Sequence, residues 1–186
     1  MIIGSIFHHL FNFSVLDFLL IVLFAFVCDF DIFFSKYALE NNHRMLISHS
    51  IIPGLIIVIL GLIFNWLAFI IGGFSYLIHI IIDTFDWGTN FFYFQKKQVG
   101  LKLLISKEEF NNISKYLSQY KRSESFFDGK YYGNILCLII EALAFILMMI
   151  LIVIFALEYF AIIIVYFIFL TFHLQRHFKL KKIESN

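Results

Sequence analysis

The run IIPGLIIVILGLIFNWLAFIIGGFSYLIHIII fills residues 51–82 and decides the fold class. A helix rises ~1.5 Å per residue, so ~20 apolar residues cross a hydrocarbon core of ~30 Å. The run is too long for one crossing and too short for three. It therefore reads as two helices, turned within Gly61-Leu62-Ile63-Phe64-Asn65-Trp66, with Trp66 as an interfacial anchor. Residues 134–173 read in the same way as a second pair, turned near Glu158-Tyr159. Residues 10–28 read as one further span, interrupted only by Asp17, an outer-leaflet hydrogen-bonding residue in this reading. The expected fold is all-α: a polytopic integral membrane protein of about five transmembrane helices.

Composition agrees with that reading. The chain has 186 residues, 61% of them hydrophobic and only 15% charged, where a soluble domain carries about 25% charge. A single domain over 1–186 is expected. Its parts are a three-helix unit (10–88), a basic insert (89–132), a helical hairpin (133–174) and a basic tail (175–186). Two cysteines, Cys28 and Cys137, are too few for a disulfide framework or a cysteine-based zinc site. The N-terminus lacks the cationic start and the cleavage site of a signal peptide, so the first span is expected to be retained.

Within the insert, Ser106-Lys107-Glu108-Glu109 matches the capping box, in which each side chain satisfies a free backbone N–H at the other end. Phe110, Ile113 and Leu117 follow at helical spacing, which predicts one cytoplasmic amphipathic helix. Five spans place every Lys and Arg on one side: Lys36 and Arg44 in the first loop, eight cations in the insert, four in the tail. By the positive-inside rule that side is cytoplasmic, with the N-terminus outside and the C-terminus inside the cell membrane.

The same topology gathers four polar clusters at one cytoplasmic mouth: Asp29-Phe30-Asp31, His43-Arg44, Ser48-His49-Ser50, and His79-x3-Asp83. Such groups cost several kcal/mol in or beside a bilayer unless they pair or bind something. His79 and Asp83, four apart, share a helical face and can offer an imidazole nitrogen and a carboxylate to one ion. Asp86 extends that stripe if the helix persists. Asp29 and Asp31 diverge on a helix and converge only where the chain leaves helical geometry. His49 falls in the first turn of the second span, with Ser48 or Ser50 as its cap. Asp29, Asp31, His43, His49, His79 and Asp83 are thus the candidate metal ligands. Asp83 or another free carboxylate is the candidate general base, and Arg44 the candidate holder of an anionic substrate group. The mixed His/carboxylate set favours zinc, with manganese or iron as alternatives and either one or two ions. Glu141, inside the fourth span, and His173 and His177, at the end of the fifth, are further candidates. A juxtamembrane basic helix explains the two histidines more simply.

These clusters resemble the predicted membrane-bound metal-dependent hydrolases, an uncharacterised prokaryotic family that includes a LexA-regulated inner-membrane protein. The family pattern runs Pro-Asp-x-Asp, then His-Arg-Gly-x-Thr-His-Ser, then His-x3-Asp leading to Thr and Gly. Here it reads Cys28-Asp29-Phe30-Asp31, then His43-Arg44 to Ser48-His49-Ser50, then His79-x3-Asp83 leading to Gly88, over about residues 15–92. Cys28 stands for the proline, Met45 for the glycine and Ser48 for the threonine, and the family's histidine-bearing helix before Asp-x-Asp has no counterpart. The resemblance implies hydrolysis and, through a distant similarity to zinc-dependent phospholipase C, a phosphoester. The expected substrate is a lipid or lipid-linked anionic ester. No nucleic-acid partner is expected. The rival readings are a non-catalytic membrane metal carrier or sensor, and a structural protein whose polar clusters bind only each other.

Overall fold

The structure is a computed structural model, and it describes residues 1–38, 42–93 and 98–186. Lys96 and Lys97, two of the insert's cations, lie outside the described residues. Among the described residues there is no strand, only the isolated antiparallel bridge Thr89–Val99. The chain divides into two compact units, Met1–Leu103 and Leu104–Asn186.

In the first unit, α1 (Ile2–Phe11) ends at Asn12 in a left-handed conformation, and α2 (Val15–Phe24) starts on a capping box. Ser14 Oγ accepts from Asp17 N, and Asp17 Oδ2 accepts from Ser14 N. Asp17 Oδ1 also accepts from Trp66 Nε1 at 2.8 Å. The polar interruption of the expected first span is therefore a helix start. After Phe24 the chain bends by 41° and continues as a 3-10 helix, Val27–Tyr37.

The hairpin that decides the fold is present. Helix α3 (Ile51–Ile63) opens on Ser50, whose hydroxyl accepts from Ile52 N. The chain turns through Asn65 at φ 49° and re-enters helix as α4 (Leu67–Asp86). Close approach of the two arms rests on glycine: a Cβ on Gly73 would lie 2.6 Å from Val58 Cγ2 and 2.9 Å from the Gly54 carbonyl oxygen. Gly73→Val is therefore expected to cost about 1–3 kcal/mol by overpacking, read as a lowered Tm of the detergent-solubilised protein. An unchanged Tm would mean the arms separate freely.

Two buried clusters fill this unit. Phe13, Ile21, Ala68 and Ile71 pack together, and Cys28, Tyr76 and Ile80 form a second cluster with Ile51, Ile57 and Phe91 against it.

In the second unit the described part of the insert carries three helices rather than one. The capping box at Ser106 and Glu109 forms, but α5 (Lys107–Asn111) stops at Asn112 and α6 (Ile113–Leu117) restarts there. Helix α7 (Ser123–Gly133) follows. Helix α8 (Ile135–Phe155) starts on the Asn134 side chain, breaks at Ala156, and returns through a 3-10 turn, Leu157–Ile162, into α9 (Ile163–Ser185). Phe145 stacks on Tyr166 at 5.2 Å across this hairpin.

Among the described residues three helical segments are long and apolar enough to cross a membrane: Leu67–Asp86, Ile135–Phe155 and Leu157–Ser185. The bent pair Val15–Phe24 and Val27–Tyr37 makes a fourth if it counts as one span. The expected count of five is not confirmed: α3, with 13 residues, is ~20 Å long and stands with α1 among the shorter apolar helices. The outward faces of α8 carry Ile139, Ile140, Leu143, Ile150 and Ile154, all exposed, as lipid-facing helices do.

Candidate metal centre

The site lies at one end of the α3–α4 hairpin. His79 and Asp83 come from α4 and share a face, as their spacing predicts. The loop before α3 folds into two short 3-10 turns, His43–Met45 and Ile47–His49, which deliver Arg44, Ser48 and His49. Asp29 and Asp31 arrive on the 3-10 helix after α2.

Backbone anchors hold the loop. Thr89 Oγ1 donates to the His49 carbonyl at 2.6 Å, Asn90 N to the Arg44 carbonyl at 3.0 Å, and Ile51 N to the Phe91 carbonyl at 3.0 Å. The Tyr76 hydroxyl donates to the Ser48 carbonyl. The segment after α4 is fixed in turn by Leu101 N on the Thr84 carbonyl at 2.8 Å. Gly100 stands there at φ 142°, where a Cβ would come within 2.1 Å of that carbonyl oxygen.

His49 is the centre of the arrangement and is 0% exposed. Its Nδ1 donates to Asp31 Oδ2 at 2.7 Å. A carboxylate only accepts, so Nδ1 carries a proton, and Nε2 is the nitrogen that offers a lone pair to an ion when the ring is neutral. That Nε2 lies 3.0 Å from Asp83 Oδ2 and 3.8 Å from Asp29 Oδ1. His79 Nε2 lies 3.4 Å from each of the same two oxygens.

Four donor atoms thus stand 3.0–3.8 Å apart along these edges. Ligands ~2.05 Å from a tetrahedral ion stand ~3.3 Å apart, so the spacing fits. His49 Nε2, His79 Nε2 and Asp83 Oδ2 are buried and make no aligned hydrogen bond despite their closeness. Atoms that surround one point, rather than facing each other, have that property. Buried polar atoms left so are costly unless something else satisfies them. Cys28, 2% exposed, brings its sulfur to the same place: Cys28, Asp29, His49 and His79 form a group that could hold a metal ion.

Asp31, His43 and His49 form a second such group. Here Asp31 accepts three hydrogen bonds, from His43 Nδ1 at 2.9 Å, His49 Nδ1 at 2.7 Å and Ser48 Oγ at 2.6 Å. Asp29 and Asp31 do not converge on one point. They serve opposite nitrogens of one imidazole, which is why two residues of divergent direction belong to a single site.

Arg44 is nearly buried, and its guanidinium spans two carboxylates. Nη2 lies 3.2 Å from Asp83 Oδ1, while Nη1 and Nη2 donate to Asp86 Oδ1 and Oδ2 at 2.8 and 3.2 Å. The anion it meets is the chain's own. Burial opposes charge on both cations, but the facing carboxylates outweigh it. Asp83 and Asp86 hold the Arg44 guanidinium above its ordinary value, and Asp31 and Asp83 raise the His49 imidazole above its own. Asp29, with a side chain 54% exposed, is the open edge of the site.

The remaining candidates belong to the second unit. Glu141 accepts from the Tyr131 hydroxyl at 2.8 Å, His173 Nδ1 pairs with the Tyr132 hydroxyl at 2.7 Å, and His177 Nδ1 donates to Asp128 at 2.6 Å. Among the described residues none of these joins a metal-ligand group.

Sequence reasoning passed over Cys28 as a donor, and its signal was its place beside Asp29. It also passed over the anchors Tyr76 and Thr89, for which the sequence carries no signal. The chain matches no family model, no curated protein and no solved structure.

Proposed function

We propose that this protein is a membrane-bound, metal-dependent hydrolase of a phosphoester on a lipid or lipid-linked substrate. One observation carries the reading: His49 Nε2 and His79 Nε2 each stand 3.0–3.8 Å from Asp83 Oδ2 and Asp29 Oδ1, the separation of neighbouring ligands on one ion, and three of these atoms lack aligned hydrogen bonds. The donor set of imidazole, carboxylate and a neighbouring thiol favours zinc over manganese or iron. Bound there, a divalent cation supplies a Lewis acid and a water whose pKa falls toward neutrality.

The chain's own residues divide the rest of the work. Asp31 fixes the His49 tautomer and ring direction, as carboxylates do behind metal-ligating histidines. Arg44 holds Asp83 by the oxygen that faces away from the histidines. Asp29, on the open edge, would use its second oxygen as the base: it takes a proton from the attacking water as that oxygen bonds to phosphorus, and returns it to the leaving oxygen as the ester P–O bond breaks. The spans that flank this end agree with a substrate drawn from the bilayer, and with five spans the basic residues fall on one side, which favours a cytoplasmic site.

Metal analysis of the detergent-purified protein tests the reading. About one divalent ion per chain is expected, with hydrolysis of an aryl phosphate or a phospholipid that stops on chelation and returns with zinc. Substoichiometric metal would sink the site. Stoichiometric metal with no turnover of any phosphoester would leave a carrier or sensor in its place.

A further inference from the structure

The second unit holds a cavity of about 240 Å³, far in chemistry from the carboxylate-rich centre described above. It is lined by Arg122, Glu124, Arg176, Lys179, Leu180 and Ile183. Three cations face one carboxylate, and two aliphatic side chains complete the wall. Among the described residues none of the three cations is ion-paired, and all three are exposed. The cavity is built from two elements tied together. The backbone N–H groups of Lys121 and Arg122 donate to the Glu184 carboxylate at 3.2 and 3.1 Å, and Lys121 Nζ donates to the Ile183 carbonyl at 3.2 Å. The start of α7 is thereby fixed against the last turns of α9.

Depth selects the ligand. The apolar run of α9 ends at Phe172, and Arg176 and Lys179 follow four and seven residues later. At ~1.5 Å per residue they lie ~6 and ~10 Å beyond it. The headgroup layer extends ~5–8 Å past the hydrocarbon core on each side, so Arg176 lies within it and Lys179 just past its outer edge, within reach of a headgroup by its long side chain. Two guanidinium forks suit the paired oxygens of a phosphate better than they suit a point anion. A cavity below ~300 Å³ takes a headgroup and not a whole drug-sized molecule.

We infer that this cavity is a binding site for the phosphodiester headgroup of an anionic phospholipid, with Arg122, Arg176 and Lys179 on the phosphate and Leu180 and Ile183 against the glycerol. It is independent of the metal centre and of any turnover there.

Native mass spectrometry of the full chain, released from neutral detergent micelles doped with phosphatidylglycerol or phosphatidylcholine, tests the site. The wild type is expected to retain phosphatidylglycerol in preference to phosphatidylcholine. Arg122→Gln, Arg176→Gln and Lys179→Gln are each expected to weaken retention about five-fold, and Arg176→Lys by less. All three positions are exposed, so the variants keep their fold. Lys115→Gln and Lys181→Gln remove the same charge outside the cavity and are expected to leave retention unchanged. Equal weakening by these two controls would show diffuse attraction and overturn the site. Undiminished retention by the cavity variants would do the same, and displacement of the lipid by equimolar inorganic phosphate would overturn the lipid assignment.

Discussion

His49→Ala is expected to abolish metal binding and to destabilise the protein strongly. The ring is fully buried, with Nδ1 2.7 Å from Asp31 and Nε2 3.0 Å from Asp83 and 3.8 Å from Asp29. Alanine leaves the Asp31 carboxylate, 6% exposed, with one hydrogen bond fewer in a cavity it cannot leave. Breaking a buried charge-assisted pair by removing one member costs about 3–5 kcal/mol. Two further variants separate the roles. His49→Asn places an amide N–H near the Nδ1 position, so it should keep the bond to Asp31 and most of the stability while losing the metal. His49→Gln reaches toward the Nε2 position, so it should retain some metal at a lower Tm. Elemental analysis and thermal unfolding in detergent, run side by side, read both. Full metal content in His49→Asn would show that Nε2 is not a ligand.

Much of this site is legible in the sequence because helical spacing is a strong constraint. His79 and Asp83 could only share a face, and the turn within residues 61–66 could only bring the start of α3 beside the end of α4. What the sequence hides is direction. Asp29 and Asp31 look like two donors to one ion until the backbone between them is seen as a 3-10 helix and a single imidazole is seen between them. The count of five spans is not confirmed for a related reason. Hydropathy counts apolar residues and is blind to where a helix starts. Ser14 and Asp17 cut the first apolar stretch by capping a new helix, and Ser50 begins α3 so late that it falls short of a crossing. The insert shows the converse, where a correctly read capping box starts a helix that Asn112 ends after five residues.

The role of Arg44 separates two accounts of the same guanidinium. Sequence placed it as the holder of a substrate anion, whereas in the structure it bridges Asp83 and Asp86 with a side chain only 15% exposed. As a bridge, it neutralises two carboxylates that would otherwise stand together at the end of α4, and by holding Asp83 Oδ1 it orients the carboxylate whose Oδ2 faces the histidines. Arg44→Ala is therefore expected to cost about 3–5 kcal/mol, since it leaves Asp83 buried without its partner. Metal affinity should fall 10–100-fold as well, the usual loss when a ligand's supporting contact is removed. Arg44→Lys keeps the charge but not the fork, and cannot span both acids, so it should fall between the two. Asp86→Asn removes only the more exposed acid and should cost less than Arg44→Ala. In the double variant Arg44→Ala with Asp86→Ala the two losses should be less than additive, because the second change removes a repulsion that the first created. A substrate-holding Arg44 gives a different pattern: raised KM with Tm and metal content at wild-type values in Arg44→Ala, and strict additivity in the double variant.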